Sequence, residues 1–460
     1  MVGRHGGQWP GPRVSEALRR GRGDLQAGYR TLVFDDARSS GSTLVDLDGN
    51  EFLDLFSSFG LGALGYQHPA LVEAASSDAH VRAAANPTST PFLTTTDWLD
   101  FVDDVVAHYA PRGMSQAFFV DSGGEGVDQA LKAAYLRHGE RTRVAAGQDP
   151  SPLAHPDRWA GWLANAGSPA VVLSFEGAFH GRGLGPLSAT RSRPMHKADQ
   201  PAFPWPVAPF PALRWPLERH ADENERATEA SLAAVDRVLG TSEVAAVIVE
   251  PIQSEGGDRH AAPAFFQGLR RLTAAAGVSL IVDEVQTGVG LTGELWATDG
   301  LDLPSPPDFV CFGKKMQLGG FFCAADASIT RFGRLYQTRN GDRARAILAR
   351  ATLETIARDG LLAKARRLGA TFLSGLVALG ERFPGLVTEP RGRGLALAFD
   401  LPDTALRDAF NRGTLRRGVF TTYCGPRTVR LRPHLILTES EIDQALAVFH
   451  DTLTELACAT

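Results

Sequence analysis

The sequence predicts an α/β fold: a mostly parallel sheet with helices on both faces. From Gln116 onward, short apolar runs alternate with helical patterns, the order that builds parallel sheets. Several of those runs are apolar almost throughout, as a strand buried on both faces requires. Two of them deliver unusual residues at their ends. Val278–Val282 delivers Asp283, and Phe309–Phe312 delivers Gly313 and Lys314. At 460 residues the chain is long enough to divide into at least two subdomains.

Taken in chain order, Met1 to Arg22 is rich in arginine and glycine with a single acid, Glu16. Organelle transit peptides share that bias, but Pro10, Pro12 and the early glycines break an amphipathic helix, so a mobile or partner-draped arm is expected. Thr43 to Leu55 reads as a β-hairpin, two alternating runs flanking the turn signal Asp48-Gly49-Asn50. Asp97 to Ala110 has helical periodicity, with Leu99, Val102, Val105, Val106 and Tyr109 on one face and Asp97 as N-cap. The expected strands are Ala117–Val120, Ala170–Phe175, Ala245–Val249, Ser279–Val282 and Phe309–Phe312. Gly147 to Asn165, punctuated by proline, reads as a surface insertion. Pro201 to Pro216 carries six prolines and four aromatics, which makes it an extended ordered loop rather than regular structure. A long helical pattern begins near Ala344. Gly392–Asp400 and Thr428–Pro433 follow as strands, the second closed by its proline, and Glu439 to Leu456 as an amphipathic helix. No internal repeat is visible.

Composition narrows the function classes. An apolar content of 43% is that of a soluble globular protein, and a formal net charge of -5 gives no electrostatic case for nucleic acid or anionic membrane. No apolar stretch approaches the length of a bilayer span. Cys311, Cys323, Cys424 and Cys458 are scattered, without a CxxC pair or metal-ligand spacing, so reduced thiols in a cytoplasmic enzyme are expected and no metal site.

An acid and a lysine at neighbouring strand ends are what a pyridoxal phosphate site requires. The lysine holds the aldehyde as a Schiff base, and the acid keeps the pyridine nitrogen protonated so that the ring accepts electrons. Either residue alone would read as a surface charge; their order and apolar setting favour the site. Asp121 to Lys132 opens a helix directly after a strand, and its glycines let backbone N–H groups approach an anion at the positive end of the helix dipole. That segment alone would be an ordinary strand-helix turn; beside the Asp/Lys pair it becomes a phosphate cup. In Gly177 to Arg182, Phe179 offers a ring to stack on a cofactor and Arg182 a guanidinium to clamp a carboxylate. In isolation these two would read as core and surface charge. Glu250 closes an apolar run, where a carboxylate is unfavourable unless paired.

Together, SGGEGVDQALK, GAFHGR, VEPIQSEGGD, VDEVQTGVGLTG, FGKKMQLGGFF and VRLRP resemble class III pyridoxal phosphate aminotransferases. Within the class they are most similar to 4-aminobutyrate aminotransferases and L-lysine 6-aminotransferases. The similarity runs from about Thr43 to the C-terminus. PAFPWPVAPFP resembles the 4-aminobutyrate branch, and DDARSSGSTLVDLDG the lysine branch. The resemblance implies a fold-type I transferase: a large domain with a mostly parallel seven-stranded sheet and a smaller α+β domain from both chain ends. Residues 1–70 would be an N-terminal arm and part of the small domain, 71–338 the cofactor-binding domain and 339–460 the C-terminal small domain.

It also implies roles for individual residues. Lys314 would carry the cofactor and later move a proton, Asp283 would pair with the pyridine nitrogen, and Glu250 would join them as a catalytic group. Gln286 would lie near the ring hydroxyl, and Phe179 and Val285 would sandwich the ring. Gly123 and Gly124 would bind the phosphate through their amides, helped by Thr338 from the other subunit of a homodimer. Arg182 would hold the distal carboxylate of the amino donor and Arg432 the α-carboxylate of 2-oxoglutarate or glutamate. Glu255 would cover Arg432 when the donor lacks that group, so that one site accepts two dissimilar substrates. The family pattern puts the Schiff base on Lys314 and leaves Lys315 a solvated or phosphate-side charge.

Departures are visible too. Tyr336-Gln337-Thr338-Arg339-Asn340 has arginine where relatives carry an aromatic after the threonine. Ser122 and Glu125 stand where the animal enzymes have iron–sulfur cysteines, so no cluster is expected. Tyr336 replaces a smaller polar residue of lysine-specific relatives and fits a shorter donor. The expected activity is transfer of a terminal amino group, from 4-aminobutyrate or the ε-amine of L-lysine, to 2-oxoglutarate. The alternative is the same fold turned to decarboxylation, elimination or racemisation.

Overall fold

Seven strands form one sheet in the order Met114–Val120, Gly319–Ala324, Phe309–Phe312, Ser279–Asp283, Val244–Val249, Val171–Phe175 and Val207–Ala208. The structure, a computed structural model, describes residues 9–21, 23–86, 91–164, 167–329, 331 and 333–459. They fall into two compact units. One takes Ala79–Gly288 with Leu295–Arg350, and the other Met1–Asp78, Val289–Glu294 and Ala351–Thr460.

The sheet belongs to the first unit. Its strands run parallel except Gly319–Ala324, which is antiparallel to both neighbours. The central runs are buried along their whole length, which is why they show no polar alternation. Register then decides where the chemistry falls. Val249 stands opposite Val282, and Asp283 opposite Cys311. The residues that close these strands, Glu250, Asp283 and the Gly313-Lys314 pair, therefore leave the sheet at the same edge. In open α/β sheets, the carboxyl ends of the strands are where ligands bind.

All five expected strands are present, and two more join them. Gly319–Ala324, not among the expected strands, begins on two glycines. A Cβ at Gly319 would stand 2.0 Å from the Ser122 carbonyl oxygen, and one at Gly320 2.1 Å from that of Phe118. The glycines are there because two backbones pack against each other. Val207–Ala208 lies inside the Pro-rich segment, expected to be irregular. It sits at the sheet edge, where a proline's missing N–H leaves no ladder bond unmade.

The helix expected from Asp97 spans Thr96–Asp104 and continues as a wider turn through Tyr109. Its N-cap is Thr95, whose side chain accepts from the Trp98 N–H, rather than Asp97. Its buried residues are Trp98, Phe101 and Val105, whereas Leu99 is exposed. The two aromatics pack on Phe119 of the sheet and so take the inward positions. The described part of the 147–165 insertion forms short helical turns with mostly exposed residues.

In the second unit, Thr43–Val45 pairs antiparallel with Glu51–Asp54 across the turn at Gly49, and Val419–Phe420 adds a parallel third strand. The described arm residues are not loose. Pro12–Leu18 is a short helix with Pro12 in its first turn, where a missing N–H costs nothing. The Asp48 carboxylate accepts from the Arg13 and Val14 N–H groups, Val14 is fully buried, and Trp9 meets Phe52 edge-on. Residues 1–8 and Arg22 lie outside the described residues.

A four-stranded antiparallel sheet follows in the order Thr388–Arg393, Ala396–Asp400, Thr428–Leu431, Thr422–Cys424. The expected single strand over 392–400 is thus a hairpin turning at Gly394, whose φ is +57°. The helical pattern from Ala344 is two helices, Arg343–Arg358 and Leu361–Arg382, broken at Gly360 with φ +62°. Phe372, Phe399, Phe410 and Phe449 knit the helices to this sheet. Among the described residues no helix is long and apolar enough to cross a membrane, and all four cysteines are free thiols.

Candidate active site

A cavity opens at the carboxyl edge of the seven-stranded sheet. Gly123, Gly124, Phe179, Glu250, Asp283, Val285, Gln286 and Lys314, eight of the residues singled out in the sequence, all line it.

Its floor is the strand end at Asp283. That carboxylate is 6% exposed; Oδ1 accepts the Val285 N–H at 3.0 Å, and Oδ2 meets His180 Nδ1 at 2.8 Å. The His180 N–H is tied to Thr190 Oγ1, and Nε2 of the same imidazole is buried without a partner. With Oδ2 as its neighbour, the ring carries its proton on Nδ1 and donates it to Asp283. Sequence reasoning quoted His180 within GAFHGR but gave it no role. The available signal was a histidine immediately after a residue expected to stack.

Glu250 stands beside Asp283. Burial, and then the neighbouring Asp283 carboxylate, raise its carboxyl well above the usual range and favour the neutral form. Oε1 accepts the Phe179 N–H at 2.9 Å and Oε2 the Ser254 N–H at 3.1 Å. It thereby ties the strand end to the Phe179 loop and to the turn that follows.

One wall is the start of helix Gly123–Ala145. Ser122 caps it reciprocally with Glu125: each side chain accepts the other residue's backbone N–H. A Cβ on Gly123 would stand 2.5 Å from Val285 Cγ1, so only glycine lets the helix come this close to the Val285 wall. A Cβ on Gly124 would meet nothing within 4 Å, so the space beside that residue is open.

Lys314 is half-buried and has φ +51°, unusual for a residue with a side chain. It lines the cavity, whereas Lys315 does not. Lys315 is 1% exposed, and its ammonium donates to the Gln286 carbonyl at 3.0 Å. The expectation of a solvated charge is therefore corrected: this lysine is an internal brace under the Asp283–Thr287 turn.

Other expected residues fall elsewhere. Arg182 is exposed and does not line the cavity; its Nη2 donates to His196 Nε2 at 3.4 Å. Glu255 pairs with Arg193 at 3.8 Å. Thr338 is exposed. Arg432 belongs to the other unit, where it is 1% exposed, its N–H donates to the Leu55 carbonyl and its own carbonyl accepts from Ser57 Oγ.

A helix start whose glycines line the cavity, a deep carboxylate held by a histidine, and a lysine in the lining together fit pyridoxal phosphate. Comparison with known proteins agrees. Residues 25–453 match the family described as Aminotransferase class-III. The chain belongs to the class-III aminotransferases. These enzymes depend on pyridoxal phosphate. A 4-aminobutyrate aminotransferase of Dictyostelium discoideum is 40% identical to this class-III aminotransferase over 455 residues, 98% of this chain and 90% of its own. The mitochondrial 4-aminobutyrate aminotransferase of Homo sapiens is 34% identical, over 97% of this chain and 90% of its own. The solved lysine aminotransferase from M. tuberculosis is 35% identical with a TM-score of 0.85, covering 96% of this aminotransferase and 99% of that chain.

Proposed function

We propose that this aminotransferase moves the terminal amino group of 4-aminobutyrate to 2-oxoglutarate, giving the semialdehyde and L-glutamate. The observation that carries the reading is the convergence of Lys314, the Asp283–His180 pair and the Gly123-Gly124 helix start on one cavity. The donor is read from the relatives named as 4-aminobutyrate aminotransferases. The ε-amine of L-lysine is the second reading, favoured by the lysine aminotransferase structure at 35% identity.

Pyridoxal phosphate supplies an aldehyde that accepts the amino group and a ring that withdraws electrons from the carbon beneath it. The chain supplies the rest. Gly123 and Gly124 hold the phosphate through backbone N–H groups, with Thr338 contributing to the partner subunit's site in a homodimer. Asp283 holds the proton on the ring nitrogen, and His180 keeps that carboxylate oriented. Phe179 and Val285 would hold the ring between them, and Gln286 would meet its oxygen. Glu250 acts by positioning, through the two amides it holds. Lys314 Nζ would move the proton off the carbon bearing the donor's amine; the nitrogen would stay with the cofactor, and a water would supply the oxygen of the semialdehyde that leaves. Arg182 takes the distal carboxylate, Arg432 the α-carboxylate of 2-oxoglutarate, and Glu255 neutralises Arg432 when the donor has only one carboxylate.

The test is the half-reaction. Holoenzyme without 2-oxoglutarate is mixed separately with 4-aminobutyrate, L-lysine, L-ornithine and β-alanine while the cofactor absorbance is followed. Conversion by 4-aminobutyrate, with one glutamate formed per donor once 2-oxoglutarate is added, supports the reading. Conversion by L-lysine alone shifts it to the second donor, and no conversion by any of the four overturns it.

A further inference from the structure

The segment following Phe179 holds a cluster that the cavity itself does not require. Arg182 Nη2 faces His196 Nε2 at 3.4 Å. A guanidinium nitrogen donates and does not accept, so this imidazole nitrogen must be the acceptor and carry no proton. The ring proton is then on Nδ1, which faces Ser192 Oγ at 3.2 Å. The charge on Arg182 thus dictates both tautomer and protonation state. The same imidazole meets the Phe179 ring edge-on, with centroids 5.4 Å apart and planes at 70°. His196 therefore bridges the cavity wall and a guanidinium that does not itself line the cavity.

We propose that His196 is the positioning residue for Arg182, a neutral acceptor that fixes the guanidinium where the substrate's distal carboxylate arrives. The inference rests on the assignment of Arg182 made above and adds to it a device and a pH dependence. With its acceptor in place, one edge of the guanidinium is held and the remaining N–H groups are free to fork onto a carboxylate. Ordering the guanidinium beforehand removes a rotamer penalty from substrate binding.

Three charged groups face the imidazole. Arg182 and Arg193 disfavour a second positive charge, whereas Glu255 favours one. Lys197, on the same turn, points its ammonium toward the Ser188 carbonyl at 3.4 Å. Burial acts first and in the same direction as the two arginines, so the imidazole pKa lies below its ordinary value. His196 is accordingly neutral at neutral pH, as the contact demands. Protonation would place a hydrogen on Nε2 against the guanidinium and release Arg182.

Three variants of the holoenzyme test this. His196→Gln offers a carbonyl acceptor that cannot titrate. His196→Phe keeps an aromatic ring against Phe179 but offers no acceptor, and Arg182→Ala removes the guanidinium. Two quantities are followed between about pH 5 and 9: KM and kcat for 4-aminobutyrate, and the Kd of pentanoate, a carboxylate without an amine, by calorimetry. His196→Phe should raise KM and Kd by about tenfold with little change in kcat. The native enzyme should show a rise in KM on acidification, and His196→Gln should keep near-native values at neutral pH and lose that rise. If His196→Phe leaves KM and Kd unchanged while Arg182→Ala raises both, the positioning role is overturned and the Arg182 assignment stands. Unchanged values in Arg182→Ala as well overturn both. A fall in kcat and Tm shared by both His196 variants, with KM unmoved, marks a merely structural residue and also overturns the proposal.

Discussion

Replacing Gly123 by alanine separates two neighbouring glycines that the sequence treats alike. A Cβ at position 123 would stand 2.5 and 2.8 Å from Val285 Cγ1 and Cγ2, far inside contact distance, whereas a Cβ at 124 meets nothing within 4 Å. Overpacking of this kind destabilises by about 1–3 kcal/mol. Alanine at 124 instead gains about 0.5–1 kcal/mol of helix preference over glycine. With roughly 2–4 °C per kcal/mol for a unit of this size, Gly123→Ala should lower the Tm of the cofactor-free protein by several degrees. Gly124→Ala should leave it level or slightly raised. Because the displaced atoms belong to Val285, which lines the cavity, pyridoxal phosphate should also bind Gly123→Ala about tenfold more weakly, a loss of roughly 1.4 kcal/mol. Val285→Ala removes both clashing carbons and leaves Cβ at 3.3 Å. The double variant should therefore recover about 1 kcal/mol or more relative to additivity. Calorimetric Tm and an absorbance titration with cofactor measure all four proteins. Equal Tm and affinity in Gly123→Ala and the native protein, or strict additivity in the double variant, would refute the close-approach argument.

Three further outcomes follow from the site. Lys314→Ala should abolish the half-reaction, while Lys315→Met should lower Tm and keep measurable turnover, because Lys315 donates to the Gln286 carbonyl instead of lining the cavity; loss of turnover in both would remove the distinction. The Glu250 carboxyl is raised in the folded state, so native Glu250 binds more protons than unfolded Glu250 between the usual carboxylate pKa and its raised value. Its stabilising contribution is complete below that window and is lost as pH rises through the raised pKa. The Tm advantage of the native protein over Glu250→Gln should thus be largest at acid pH and shrink as pH rises; thermal scans across pH that keep the gap constant would contradict this. Arg432→Gln should weaken the glutamate half-reaction by roughly a hundredfold and spare the 4-aminobutyrate half-reaction, since only glutamate carries the second carboxylate. Rapid-mixing absorbance with each substrate measures the asymmetry, and equal losses would sink the Arg432 assignment.

Legibility in the sequence followed physical cause. Val171–Phe175, Val244–Val249, Ser279–Asp283 and Phe309–Phe312 could be read because burial inside the sheet leaves a nearly unbroken apolar run, and their shared register brought Asp283 and Lys314 to one edge. Gly319–Ala324 escaped because its glycines answer to the backbones of Ser122 and Phe118, a tertiary cause that lies far off in the chain. The 392–400 hairpin escaped likewise, its turn resting on one glycine at positive φ. Thr95 took the cap expected of Asp97 because the Trp98-Phe101 pair, not the Leu99 face, packs on Phe119. In the site, residues that touch the cavity were legible through motif and strand end. Those that act one contact away, His180 on Asp283 and His196 on Arg182, were not, because a histidine's role depends on what its second nitrogen meets. Lys315 shows the same limit in reverse: adjacent lysines look alike in a string and differ only in which way the turn throws them.

The positive φ of Lys314 sets chemistry and durability against each other. A residue with a side chain is disfavoured there by about 1–2 kcal/mol relative to glycine. The one position whose amine cannot be spared is thus among the backbone's least comfortable. A search for thermostable variants of this protein, blind to turnover, would be drawn toward glycine at 314, and its most robust product would be inert.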